Sequence, residues 1–219
     1  MPIKETINQL QTLEGKIDIL GKAIRKGDKE AIEYAKEFVE YASPILAKPY
    51  ANGDPVSEAA RLYEKFGLLN ESIHEYKKIE KDWAFHRVSE LLWKLDKKDE
   101  AIVYFKKYME DSLPCLNAPD DFYINRLLEI ANEAKYFGLN EDYKKLILMS
   151  INLAVEYNPY WAYDMLREHN VSDGKLIKNI AEKIAEAGEK RGEYKVAAKI
   201  LREAGLIKRA EFYENLDNI

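Results

Sequence analysis

The sequence predicts an all-α protein built from antiparallel helix pairs. Apolar residues recur at the three-to-four-residue spacing of a helix along nearly the whole chain. No segment alternates apolar and polar residues over the length of a half-buried strand. From residue 56 onward, the same residue classes also return at the same offsets in successive helix pairs. We therefore expect paired helices that follow one another along the chain, without a sheet.

The N-terminal part, residues 1–50, is predicted to form a helical hairpin that caps the rest. Helical periodicity runs from residue 3 to residue 26, turns at Gly27 and Asp28, and resumes through Phe38 and Val39. One face of this segment carries Glu and Lys and the other carries Ile, Leu and Phe, as the end of a repeat array requires.

A segment boundary is predicted where prolines interrupt the helical pattern. Pro44, Pro49 and the cluster at 52–55 break the periodicity, and Asp54 is placed to cap a helix that begins at Pro55. Residues 51–219 are predicted to form the repeat region as one continuous domain.

Four helix pairs are predicted in the repeat region. Their first helices carry Val56, Ala59, Ala60 and Tyr63; Phe85, Val88, Ser89 and Leu92; Leu127, Ile130, Ala131 and Ala134; and Ala181, Ile184, Ala185 and Gly188. Their second helices carry Ser72, Tyr76 and Ile79; Ala101, Phe105 and Tyr108; Tyr143, Ile147 and Ser150; and Ala197, Leu201 and Ala204. In every pair the last first-helix position and the first second-helix position lie nine residues apart. Small residues in each helix predict that the two axes approach closely.

This pattern resembles the tetratricopeptide repeat, and Val56, Ala59, Ala60, Tyr63, Ser72 and Tyr76 match it best. The resemblance implies an irregular right-handed superhelix of antiparallel helix pairs, an α-solenoid. The array is irregular because successive pairs begin 29, 42 and 54 residues apart, against about 34 in regular repeats. Tyr143 stands where the pattern has a small residue, Gly188 stands where it has an aromatic, and residues 159–170 predict an additional helix.

In the family that the pattern resembles, the first helices line a concave groove that binds extended peptides or helices. The candidate groove residues carried over to this sequence are Arg61, Lys65, Trp83, His86, Arg87, Glu90, Trp93, Lys94, Asn125 and Asn132. Trp83 and Trp93 are the expected anchors because indoles are enriched where binding energy concentrates. Arg61, Arg87 and Lys94 would suit an acidic ligand. The alternative for Trp93 is packing between neighbouring helix pairs.

Composition bounds the chemistry. The 219 residues are 47% hydrophobic and 33% charged, which excludes a disordered chain. One cysteine, Cys115, and three scattered histidines exclude an internal disulfide and a thiolate zinc site. We expect no cofactor, no metal site and no enzymatic activity, because no catalytic nucleophile, general base or set of metal ligands can be recognised in the sequence.

The same composition predicts where the chain resides. No stretch is apolar enough to cross a bilayer, since residues 146–155 are broken by Ser150 and Asn152. The first residues carry charge where a signal peptide needs an apolar run, so we expect a cytoplasmic protein. Abundant Lys and Glu, with Gln at two positions, indicate a thermophilic source.

The predicted function is that of an interaction scaffold for a protein or peptide partner. Two alternatives stay open. Residues 175–209 hold ten basic and five acidic residues and could bind nucleic acid, although the net charge of −5 disfavours this. A homo-oligomeric structural protein is the other, because exposed tryptophans and tyrosines also drive self-association.

Overall fold

The computed structural model describes residues 2–49 and 54–217, and within these ranges it holds thirteen α-helices, one 3₁₀ turn and no strand. The prediction of an all-α chain is confirmed. The helices fall into two compact units that divide between Ser112 and Leu113. The predicted boundary after residue 50, together with Asn52 and Gly53, lies outside the described residues. No helix in the described ranges is long and apolar enough to span a membrane.

The first unit consists of seven helices, each in contact with the next one in the chain. They are α1 (Ile3–Gln9), α2 (Leu13–Arg25), α3 (Lys29–Ala47), α4 (Pro55–Phe66), α5 (Leu69–Tyr76), α6 (Asp82–Lys94) and α7 (Lys98–Ser112). Helix α2 contacts both α3 and α4, and α1 also contacts α3. A shared core of α1 to α4 buries Leu20, Phe38, Leu62 and Phe66, so the N-terminal hairpin packs directly on the first repeat helix.

The predicted helix over residues 3–26 is in fact two helices. Leu10 adopts an extended backbone after α1, and Thr12 begins α2 by accepting a hydrogen bond from the Gly15 amide at 3.2 Å. A Cβ on Gly15 would lie 2.9 Å from the Thr12 hydroxyl oxygen, so a larger residue there would require the Thr12 side chain to shift. Local capping therefore interrupts a stretch whose apolar periodicity is continuous.

The predicted break at Pro44 is also wrong, because α3 continues through Pro44 to Ala47. Proline removes one backbone donor, and the carbonyl it would have met is that of Glu40. Pro44 and Glu40 are both exposed, so water can satisfy that carbonyl. The cap at the next helix is confirmed: Asp54 accepts from the amides of Val56 and Ser57 at 3.0 and 3.2 Å.

The close approach predicted within a helix pair is present in the first pair. The Ser72 hydroxyl donates to the Ala60 carbonyl oxygen at 2.9 Å, and both residues are completely buried. Gly67 closes the turn between α4 and α5 in the left-handed conformation that favours glycine. The second pair turns instead at Asp96, which takes a positive φ of 58° without being glycine.

The second unit begins with a 3₁₀ turn at Leu113–Cys115 and continues with six helices. They are α8 (Asp121–Tyr136), α9 (Asn140–Tyr157), α10 (Pro159–Glu168), α11 (Gly174–Arg191), α12 (Tyr194–Glu203) and α13 (Ile207–Asp217). Each contacts the next. In the pair α11–α12, a Cβ on Gly188 would lie 3.4 Å from the Cβ of Ala197, which confirms the predicted close approach.

The departures from the repeat pattern have structural reasons. The predicted additional helix is α10, which accounts for the long spacing before the last pair. Tyr143 points its hydroxyl at Nδ1 of His169, 3.0 Å away, where His169 ends α10. Helix α13 is not among the predicted elements.

Candidate interaction surface

The candidate site in the first unit is the outward face of α6. Its side toward α4 carries Arg87, whose Nε donates to Glu64 Oε2 at 3.0 Å. Its side toward α7 carries His86, whose ring centroid lies 4.7 Å from that of Tyr108. Trp93 lies on this second side too, with the Lys98 ammonium 5.7 Å from its ring centroid. The predicted residues of α6 are thus brought together on one face, but they differ in what they contact.

Trp83 lies on this face in the first turn of α6, and 40% of its surface is exposed. Its indole meets the ring of Tyr76 edge to face, with centroids 6.1 Å apart and planes at 89°. Tyr76 is 3% exposed, so the indole is braced by a side chain that belongs to the core. An exposed aromatic held in this way loses little conformational entropy when a ligand covers it.

The guanidinium of Arg87 is bound by two carboxylates of the protein itself, those of Glu64 and Glu90. The hydrogen bond to Glu64 is the main cause that holds the pKa of Arg87 above its ordinary value. Burial raises the pKa of the neighbouring Tyr76 hydroxyl, and the charge of Glu64 adds to this effect. Arg87 therefore links α4 to α6, and its donors are already engaged before any ligand arrives.

Of the other predicted cations, two are paired with carboxylates of the protein and one is exposed to solvent. Arg61 pairs with Glu58 at 2.9 Å, and Lys65 pairs with Asp18 of α2 at 3.4 Å. Lys94 is exposed near the end of α6, and it makes no ion pair within the described ranges. An acidic ligand group would accordingly meet Lys94 more readily than Arg61 or Arg87.

Asn125 and Asn132 belong to α8, which is part of the second unit. Both are exposed. The predicted site residues therefore occupy α4 and α6 in one unit and α8 in the other. The sequence predicts Tyr76 as a packing residue and does not indicate that it also supports Trp83. The signal that could have indicated this contact is the spacing, because Tyr76 comes seven residues before Trp83.

A groove of the first unit lies elsewhere. It has a volume of about 770 Å³ between α3, α4 and α5, and its floor includes Val39, Val56, Ala59 and Tyr63. None of the predicted site residues lines it. The predicted site is an exposed helix face whose indole packs against Tyr76.

The basic segment 175–209 carries several cations that are neutralised by the protein. Ion pairs join Lys183 to Glu156, Lys195 to Asp217, Arg202 to Glu214 and Arg209 to Glu182. Two of these carboxylates come from α13, the helix that the sequence left unpredicted. The segment is thus a salt-bridged surface, which differs from the uninterrupted positive stripe typical of nucleic-acid binding.

No group of three or more His, Cys, Asp or Glu side chains within residues 2–49 and 54–217 is arranged to hold a metal ion. Cys115 is an exposed free thiol at the end of the 3₁₀ turn.

No protein-family model matches the chain, and no curated protein matches it. Among solved structures it is similar to a kinesin light chain with nearly identical TPR-like repeats from Podospora anserina, at 12% identity, covering 91% of this chain and 97% of that chain with a TM-score of 0.33. It is also similar to MamA, at 16% identity, covering 87% and 94% with a TM-score of 0.33. BtubC from P. vanneervenii is 13% identical, with 90% and 80% covered and a TM-score of 0.34. The tetratricopeptide-like fold is supported by the packing within the helix pairs described above.

Proposed function

We propose that this protein is an interaction scaffold whose first unit binds a segment of a partner protein along α6, with Trp83 as the anchor. The observation that carries this proposal is the braced indole, 40% exposed and in edge-to-face contact with the buried Tyr76. Large aromatic side chains dominate the energy of protein interfaces, and they do so most when they are held in place before binding.

The charges around Trp83 define the kind of segment that would fit. Arg61, Lys65 and Arg87 each pair with a carboxylate of the protein, so their charges are already compensated. Lys94 lies eleven residues after Trp83 on α6, or about 16 Å along the helix axis. A ligand that places an apolar side chain on Trp83 and an acidic group near Lys94 matches this surface.

We propose no catalytic role for this face. Catalysis requires a nucleophile, base or metal inside a pocket that excludes water. On α6, Arg87 is instead bound by the carboxylates of Glu64 and Glu90, and Lys94 is exposed to solvent. Trp83 is exposed at the surface. These features suit the binding of a partner.

The test begins with the full chain immobilised and used to capture partners from an extract of its source organism. The captured protein is identified, purified and titrated by calorimetry against the wild type and against Trp83→Ala. We expect the substitution to weaken the affinity at least about tenfold, as the loss of an aromatic hot spot does. Trp161→Ala is the matched control, because this half-buried indole belongs to α10 of the second unit.

Two further variants distinguish residues that stabilise the fold from residues that contact the ligand. Arg87→Ala should lower the free energy of unfolding, because it leaves Glu64 and Glu90 without their shared cation. Lys94→Ala should weaken binding with unchanged stability. An unchanged affinity in Trp83→Ala, with its helical circular dichroism intact, would reject α6 as the site.

A further inference from the structure

The groove between α3, α4 and α5 of the first unit is not used by the proposed function. Its volume is about 770 Å³, and its floor includes Val39 of α3 together with Ala59 and Tyr63 of α4. Val39 and Ala59 are buried, so the floor beside Tyr63 is apolar. The walls are polar: α3 contributes Lys36 and Glu40, and α5 contributes Asn70, Glu71, His74, Glu75 and Lys78. The groove therefore has an apolar floor between two charged walls.

Tyr63 brings an unpartnered polar group to this floor. The residue is 7% exposed, and its hydroxyl makes no hydrogen bond within residues 2–49 and 54–217. A phenol buried to this extent usually has a hydrogen-bond partner. Three carboxylates of the groove walls act on this hydroxyl, which indicates that it faces the groove. The hydroxyl is thus held where an incoming polar group can reach it.

The charges that act on the Tyr63 hydroxyl are negative. Burial raises the pKa of Tyr63, and the wall carboxylates of Glu75, Glu40 and Glu71 raise it further, so the hydroxyl keeps its proton at neutral pH. Glu75 is paired with Lys78 at 2.7 Å. Glu40 and Glu71 are exposed, and they make no ion pair within the described ranges. Two carboxylates beside the hydroxyl are therefore free to accept hydrogen bonds.

The remaining basic groups of the walls do not neutralise these carboxylates. Lys36 and His74 are exposed, and neither makes an ion pair in the part of the chain that the structure describes. Neither is among the charges that act on the Tyr63 hydroxyl. The groove beside Tyr63 thus presents two carboxylates and a phenol oxygen, and all three can accept a hydrogen bond from a cation.

We propose that this groove binds a segment of a partner protein that inserts a lysine or arginine side chain between Glu40, Glu71 and the Tyr63 hydroxyl oxygen. The inserted ammonium or guanidinium group donates to both carboxylates and to the phenol oxygen, which gives the buried hydroxyl its missing partner. Apolar side chains next to the basic residue cover Val39 and Ala59. This apolar contact favours a protein segment over a free polyamine, which has the charge but no side chain to fill the floor.

The chemistry of the ligand is tested by selection. The immobilised full chain is used to enrich binders from a phage-displayed library of short random peptides, and the enriched peptides are synthesised and titrated by calorimetry. We expect a group of peptides in which a lysine or arginine is flanked by aliphatic residues. A selection that yields no such peptide overturns the proposal.

The site is tested by removing its two free carboxylates. Glu40→Gln/Glu71→Gln should weaken the affinity for a selected basic peptide by about tenfold or more. The matched control is Glu5→Gln/Glu110→Gln, which makes the same change in net charge at exposed positions of α1 and α7 outside the groove. The control pair should bind the peptide like the wild type. Equal losses in the two pairs would show that overall charge attracts the peptide, and they would overturn the proposal.

Tyr63→Phe separates binding from folding. The hydroxyl makes no hydrogen bond within the described ranges, so its removal should leave the urea midpoint unchanged while it weakens the affinity for the basic peptide several-fold. An unchanged affinity would overturn the role of the hydroxyl. Trp83→Ala shows which site holds the peptide: a loss of binding in this variant would place the peptide on α6 and overturn the groove as its site. Failure of the groove is therefore distinguishable from failure of the binding site on α6.

Discussion

The two units solve the same packing problem with different side chains. The four largest fully buried side chains are Tyr108, Phe38, Phe66 and Phe105, and all belong to the first unit. The corresponding side chains of the second unit are aliphatic: Ile124, Leu127, Ile130 and Leu146. The second unit carries many of its aromatics at the surface instead, among them Phe122, Tyr136, Tyr157 and Phe212. The comparison teaches that aromatic content alone does not indicate core, because several aromatics of the second unit are exposed.

The polar links between helices also differ. Ion pairs join helices in both units, such as Glu64 to Arg87 in the first and Arg202 to Glu214 in the second. The second unit adds tyrosine hydroxyls that donate to carboxylates: Tyr160 to Glu193 at 3.0 Å, Tyr213 to Glu189 at 3.1 Å, and Tyr163 to Glu203. Phenol–carboxylate bonds join α10 and α13 to the α11–α12 pair, where the repeat pattern is least regular.

The strongest way to break this comparison is to remove one phenylalanine from each unit. Phe38 is 2% exposed and its ring lies 6.2 to 6.5 Å from those of Tyr34, Tyr41 and Phe66. Phe38→Ala should lower the free energy of unfolding by about 3–5 kcal/mol, because it opens a cavity. Phe212→Ala should change it by about 0.5 kcal/mol or less. Urea denaturation followed by circular dichroism measures both, and equal losses would contradict the contrast between core and surface aromatics.

The close approach of α11 and α12 is tested at Gly188. A Cβ there would lie 3.4 Å from Ala197 Cβ and from the Glu193 carbonyl oxygen, which is ordinary contact, so Gly188→Ala should be neutral or stabilise the helix. Gly188→Leu has no space for its further atoms and should cost about 1–3 kcal/mol. Thermal unfolding of the two variants checks this. If leucine is tolerated as well as alanine, the helices do not need a small residue at this point.

Buried serines sharpen the comparison at a smaller scale. Ser72 donates across the pair to Ala60, whereas Ser150 donates to Leu146 within its own helix at 2.9 Å. Ser72→Ala should cost about 1 kcal/mol, since an interhelical hydrogen bond is lost. Ser150→Ala should cost close to nothing, because a serine that bonds back along its own helix adds little stability. Urea midpoints of the two single variants give the difference, and a larger loss for Ser150→Ala would reverse our interpretation.

The smallest expected effect is a pH dependence in the second unit. Burial and the hydrogen bond to Glu203 raise the pKa of Tyr163 from 10.0 to about 12. A raised pKa means that the folded chain holds the phenolic proton more tightly, so this stabilisation is present below pH 10 and is lost as the pH rises toward 12. Tyr163→Phe should therefore show a shallower fall of unfolding free energy across that window. Identical slopes for the variant and the wild type would show that Tyr163 does not contribute.

Much of the fold follows from the sequence because it depends on local spacing. The contact between Ala60 and Ser72 and the contact between Gly188 and Ala197 are both set by a short turn and a small residue on each side. The helix break near Thr12 is missed because one hydroxyl overrides a continuous apolar pattern. Pro44 is overestimated as a breaker because its effect depends on whether the freed carbonyl can reach water.

The candidate site is less predictable than the fold for a physical reason. Trp83 and Arg87 can be placed on one helix face from their spacing alone. That Arg87 binds Glu64 cannot be predicted, because the two residues lie 23 positions apart and meet only once α4 and α6 are packed. The same holds for α8, where exposure rather than residue type distinguishes Phe122 from a core phenylalanine.

The contact of each helix with its neighbour in the chain also sets the order in which the protein forms. Contacts between segments close in sequence have a small loop-closure cost, and helical proteins dominated by them fold in microseconds to milliseconds. The first unit ends at Ser112, and α8 is complete only at Tyr136, about 24 residues later. At about 5–20 residues per second, the ribosome needs one to several seconds to add them. This interval is long compared with the folding time of such a helical unit, so during synthesis the aromatic core of the first unit has time to close before α8, with its exposed phenylalanine and tyrosine, is complete.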